Sequence, residues 1–76
     1  MSSVCDRFGL VLRQRRQELH WSQELLAHKA DVNRSYLGEI ERGRAVPSLA
    51  ILDKLAGALE INLSTLLARC EQRRRS

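Results

Sequence analysis

Aromatic side chains are scarce in this chain, with one Phe, one Trp and one Tyr among 76 residues. Any core must therefore be aliphatic. Proline occurs once while leucine and alanine dominate, which favours an all-α fold over sheet. No run of about 18 apolar residues exists, so no membrane span is expected. The opening MSSVCDRFGLVL meets Asp6, Arg7 and then Arg13 too soon to make a secretory apolar region, so the expected location is cytoplasmic. Cys5 and Cys70 lie at opposite ends with neither metal-ligand spacing nor a CxxC pair, and in a reducing compartment they are expected as free thiols. The two His lack HExxH spacing, and the glycines at 9, 38, 43 and 57 form no phosphate-cradling loop. These absences argue against an enzyme, a metal, a cofactor or a small-molecule ligand.

What is present is basic and compact. The net charge is +4 with a pI near 9.8, and arginine supplies eleven of the thirteen basic residues. Arginine forks match phosphates and guanine edges bidentately, so the bias suits nucleic acid, although a merely basic, soluble surface would read the same way. A chain this short buries only about 60% of its unfolded surface, so stability must come from tight helix packing or from a partner subunit.

Residues 22–41, SQELLAHKADVNRSYLGEIE, organise the chain. Ser22 can N-cap one helix with an apolar stripe of Leu26, Ala27 and Ala30, and Asn33 can N-cap a second whose inner face is Leu37 and Ile40. Trp21 with Leu26, and Val32 with Leu37, stand at hydrophobic-staple spacing and fix how the chain enters each helix. Asp31 falls at the turn, where the left-handed conformation is tolerated better by Asp than by most residues. Two helices so joined form a helix-turn-helix. The outward residues of the second are Arg34, Ser35, Gly38, Glu39 and Arg42, a face that can enter the major groove of DNA.

At these residues the chain resembles a family. Ser22-Gln23, Leu26-Ala27, Tyr36-Leu37, Ile40-Glu41-Arg42-Gly43, Pro47-Ser48 and Leu55-Ala56 fall at the spacings of the Cro/C1-type helix-turn-helix family, which includes phage repressors and restriction–modification controller proteins. The resemblance covers roughly residues 8–67 and implies a compact five-helix, lambda-repressor-like fold. It also implies base contacts from Arg34, Ser35 and Glu39, and phosphate contacts from Gln23, Asn33, Tyr36, Arg42 and Arg44. It implies further that Arg16 on the first helix pairs with Glu41 at the end of the recognition helix. Gln23 would also steady the first residues of that helix. Two departures stand out: Asp31 where the family often has Gly, and Leu25 where it usually has a polar side chain, so Leu25 either packs at an edge or marks a contact surface.

The remaining expectations follow the chain. Residues 1–5 form a flexible lead, and the first helix runs from 6 to 19 with Phe8, Val11, Leu12 and Leu19 inward. Gly43 ends the recognition helix. Ser48 caps a fourth helix over 49–59, with Leu49, Leu52, Leu55, Ala56 and Leu59 inward. Asn62 caps a fifth, which closes a domain of residues 6–69. Residues 70–76 are a basic tail, either disordered or adding a sequence-independent phosphate attraction. One helix-turn-helix reads few base pairs, so a homodimer on a palindromic DNA operator is expected, with Leu63 and Leu67 either at the dimer interface or closing the core. The rival reading is a protein-interaction module of the same fold, antitoxin-like or coactivator-like. The polar outer face of the recognition helix favours DNA over it.

Overall fold

The structure, a computed structural model, describes residues 3–75, with side chains described through Arg73. Five helices follow in order: α1 (Val4–Glu18), α2 (Gln23–Ala30), α3 (Arg34–Glu41), α4 (Leu49–Ala58) and α5 (Leu63–Arg75). Among the described residues there is no strand, and no helix is long and apolar enough to cross a membrane.

The starts of α1 to α4 are each set by a short polar side chain. The hydroxyls of Ser22 and Ser48 and the Asn33 amide oxygen accept backbone N–H groups three residues on, at 3.0, 3.2 and 3.1 Å. The ends are equally regular. His20, Asp31, Gly43 and Glu60 all sit at positive φ. Each donates to the carbonyl three residues back, and the residue after each donates to the carbonyl five residues back, as in Trp21 to Arg16 and Arg44 to Glu39. These are Schellman stops, and only Gly43 supplies the residue that favours this conformation.

The core is aliphatic, with Leu12, Leu26, Leu37, Ile40, Leu55, Leu59 and Leu66 fully enclosed. Phe8, Trp21 and Tyr36 pack at its margin, and the Lys29 ammonium sits 4.9 Å from the Trp21 ring centre. α1 lies against α3 and α5, while α2 packs on α3 and α4. Gly9 permits the α1–α3 approach, since a Cβ there would run into the backbone carbonyls of Ile40 and Glu41.

Three features differ from the sequence reading. α1 begins at Val4, because Ser3 and Asp6 form a capping box in which each side chain meets the other's backbone N–H. Only Met1 and Ser2 of the expected flexible lead lie outside the described residues. α5 continues to Arg75 and does not stop near Ala68. Cys70 extends the inner stripe of Leu63 and Leu66 by one more turn and is buried, so helix replaces the start of the expected tail. Ser76 is outside the described residues. Finally, Leu49 is 71% exposed, because the inward stripe of α4 starts at Leu52 and leaves its first residue facing out.

Candidate nucleic-acid interface

α3 is amphipathic in the strict sense. Leu37 and Ile40 are wholly enclosed, while the Arg34 and Ser35 side chains stand in solvent without a partner among the described residues. Asn33 caps the helix with its amide oxygen, which leaves the NH2 group of the same side chain directed elsewhere. Arg34 and Ser35 therefore occupy the first turn of a helix whose opposite face is fixed in the core. Tyr36 is half-buried beside them, and Arg44 is exposed in the loop beyond the helix.

The far end of α3 is tied down from two directions. Arg16 of α1 donates from Nε to Glu41 Oε2 at 2.9 Å and from Nη2 to Glu41 Oε1 at 3.0 Å, a two-point form of the pair that the family resemblance implied. Its remaining nitrogen, Nη1, donates to the Trp21 carbonyl at 2.9 Å, where the chain enters α2. Gln23, the first residue of α2, donates from Nε2 to Glu41 Oε1 at 3.0 Å. Gln23 thus steadies the last residue of α3, where the sequence reading had it steadying the first. The Glu41 carboxylate is 3% exposed and the Arg16 side chain 13%, so this cluster is largely removed from water.

Glu39 does not meet Arg34 on the same face. It pairs with Arg42 one turn on, Oε1 to Nη2 at 3.3 Å. The Arg42 guanidinium lies over Gly38, with Nη2, Nη1 and Cζ at 3.4, 3.6 and 3.7 Å from where a Gly38 Cβ would stand. Gly38 is buried for that reason, although it belongs to the outward face. Nothing in the residue pattern marks this cover, since an Arg four positions after a Gly is ordinary on an exposed helix face. Gly9 was likewise invisible in sequence, because a glycine that admits a neighbouring backbone leaves no periodic signature.

The two residues proposed for self-association lie differently. Leu63 is half-buried against the core, whereas Leu67 is 38% exposed. Leu67 borders a shallow groove between α1 and α5 with Val4, Phe8 and Cys70. Leu25 is also partly exposed, on the outer side of α2.

A helix-turn-helix family model matches residues 12–66, the span holding this arrangement. The control protein C.MunI of Mycoplasma sp is 36% identical over 73 residues, covering 95% of this chain and 99% of that protein. The immunity repressor protein of Bacillus phage phi105 is 44% identical over 59 residues, covering 78% of this chain and 41% of the repressor. Among solved structures, the restriction-modification controller protein C.AhdI from Aeromonas hydrophila is similar at a TM-score of 0.80 and 42% identity, covering 82% of this chain and 94% of that one. The clp gene regulator ClgR from Corynebacterium glutamicum is similar at 0.90 and 26% identity, over 95% of this chain and 77% of that one. The chain belongs to the Cro/C1-type helix-turn-helix family. It spans 41% and 38% of the first two curated relatives it matches, and nearly all of C.MunI.

Proposed function

We propose that this protein is a sequence-specific DNA-binding transcriptional regulator, acting as a homodimer on a palindromic operator. The observation that carries the reading is the outer face of α3. Its first turn presents unengaged Arg34 and Ser35 side chains, and its far end is clamped by Arg16, Gln23 and Glu41. A helix held this firmly can insert its leading end into a major groove. Arg34 would read guanine through O6 and N7, and Glu39 would accept from a cytosine amino group, each worth about 1–3 kcal/mol of discrimination. Gln23, Asn33, Tyr36, Arg42 and Arg44 would meet phosphates. Gln23 uses one amide hydrogen on Glu41 and keeps the other for this purpose.

The second copy would pack on Leu67 and the α1–α5 groove, with Leu63 contributing from its half-buried position. The chain's relatives are regulators, not enzymes, and C.MunI and C.AhdI, both covered almost end to end, are named as control or controller proteins. That supports a controller-type regulator. A protein-interaction module would need large apolar residues on the outer face of α3, and the residues there are Arg34, Ser35, Glu39 and Arg42.

The test is a binding selection from randomised duplexes, followed by salt titrations on the selected and a random duplex. The selected sites should contain two symmetric half-sites one helical turn apart, or a multiple of it. Arg34→Ala should relax one symmetric pair of positions and leave the rest. Recovery of no motif, with equal affinity for all duplexes, would refute the reading.

A further inference from the structure

The Glu39–Arg42 pair is oddly placed for a helix that must approach a polyanion. It lies on the outward face of α3, and it neutralises one of the cations there. Both side chains are about half-exposed, so the pair is a weak one that a competing partner can open. Its geometry is nevertheless defined. The guanidinium lies over the backbone of Gly38, which has no side chain to lift it, and the carboxylate closes it from the preceding turn.

We infer that Glu39 is a specificity-determining residue that acts through Arg42, making a phosphate contact conditional on the base sequence. The inference rests on the DNA reading above and extends it. With the pair closed, Arg42 is held along the helix, and reaching a phosphate costs that pair. A cytosine amino group in front of Glu39 supplies the carboxylate with another donor. Arg42 can then leave Gly38 and take a phosphate oxygen, releasing a counterion. Opposite a base edge that offers only acceptors, Glu39 keeps Arg42 as its sole donor, and the contact is not made. The two cations of this face therefore differ in kind. Arg34 has no partner among the described residues and is available to any duplex, whereas Arg42 is held back by Glu39 unless that carboxylate is otherwise satisfied. Such an arrangement lowers affinity for random DNA without weakening the operator complex.

The experiment is a double-mutant cycle on the full chain, with wild type, Arg42→Ala, Glu39→Gln and the double variant. Affinities are measured by fluorescence anisotropy on the wild-type-selected operator and on a random duplex. Thermal melts confirm that all four proteins are folded. In the wild-type background, Arg42→Ala should weaken operator binding about tenfold and random binding less than about twofold. In the Glu39→Gln background, Arg42 is already released, and its removal should weaken both duplexes by similar factors. Glu39→Gln alone should raise random-duplex affinity about two- to fivefold, the worth of an exposed ion pair. If Arg42→Ala weakens both duplexes equally in the wild-type background, Arg42 is an unconditional phosphate contact and the inference fails while the DNA reading stands. If no protein of the four binds either duplex, the DNA reading fails and the inference with it.

Discussion

Replacing Arg16 with alanine is the sharpest test of how α3 is held. The change removes both nitrogens that pair with Glu41, at 2.9 and 3.0 Å, and the donor to the Trp21 carbonyl. Glu41 would keep one partner, Gln23 Nε2, while its carboxylate stayed almost wholly out of water. Breaking a buried pair from one side costs about 3–5 kcal/mol, because the surviving charge is left uncompensated. The small exposure of Arg16 lets some water reach the site, which places the expected loss near the lower end, about 3 kcal/mol. A domain of this size has only about 4–11 kcal/mol to lose. At about 4–8 °C per kcal/mol, the melting temperature should fall by roughly 12–24 °C. Replacing both members, Arg16→Met with Glu41→Leu, should cost far less, since no charge is stranded. Circular-dichroism melts at matched protein concentration read both. A single variant that melts with wild type, or a double variant that melts below the single, would refute the argument.

Leu67→Glu should shift the chain from dimer to monomer in sedimentation at micromolar concentration with little change in helix content, and a wild type that sediments as a monomer would remove the interface. Arg44→Ala should weaken operator and random duplex by similar factors and flatten the salt dependence by about one unit, since Arg44 lies outside the Glu39–Arg42 pair. Glu60→Gly should raise stability by about 0.5–1 kcal/mol in urea titrations, because Glu60 holds a positive φ without a glycine's freedom. Burial pushes the Cys70 thiol up against the opposing pull of Arg7 and Arg73, so Cys70 should alkylate more slowly than the half-buried Cys5 in the native protein. Because the folded-state value exceeds the ordinary 9.0, this stabilising contribution is complete below that pH and fades as pH rises through the folded value, which alkaline urea titrations would detect.

The parts of this molecule that were legible in its sequence are those set by local chemistry. Ser22, Asn33 and Ser48 read as caps because a short polar side chain before an apolar periodicity has few other uses. Leu37 and Ile40 read as core from spacing alone, and Asp31 as a left-handed stop from its place between two periodic stretches. The Arg16–Glu41 pair came from family resemblance, since no local pattern links residues 25 apart. The same limit hid the Gln23 bond to Glu41 and the seating of α3 carbonyls against Gly9, both of which depend on how whole helices meet. The Ser3–Asp6 box was legible in principle, as a hydroxyl followed three residues later by a carboxylate, and Cys70 could have been read as the next inward position after Leu66.

The clamp at Glu41 has a mechanical consequence. α3 extends only seven residues from Glu41 back to Arg34, a lever arm of about 10 Å at the helical rise. Over that length, a tilt of about 5° about the clamp would carry the Arg34 end sideways by roughly 1 Å, well beyond the ~0.5 Å placement that a preorganised binding group tolerates. The carboxylate that touches α1 and α2 together thus sets the aiming accuracy of side chains at the opposite end of the helix. A substitution that merely loosened Arg16 or Gln23, leaving the fold intact, would blur which bases are read before it lowered how tightly DNA is gripped.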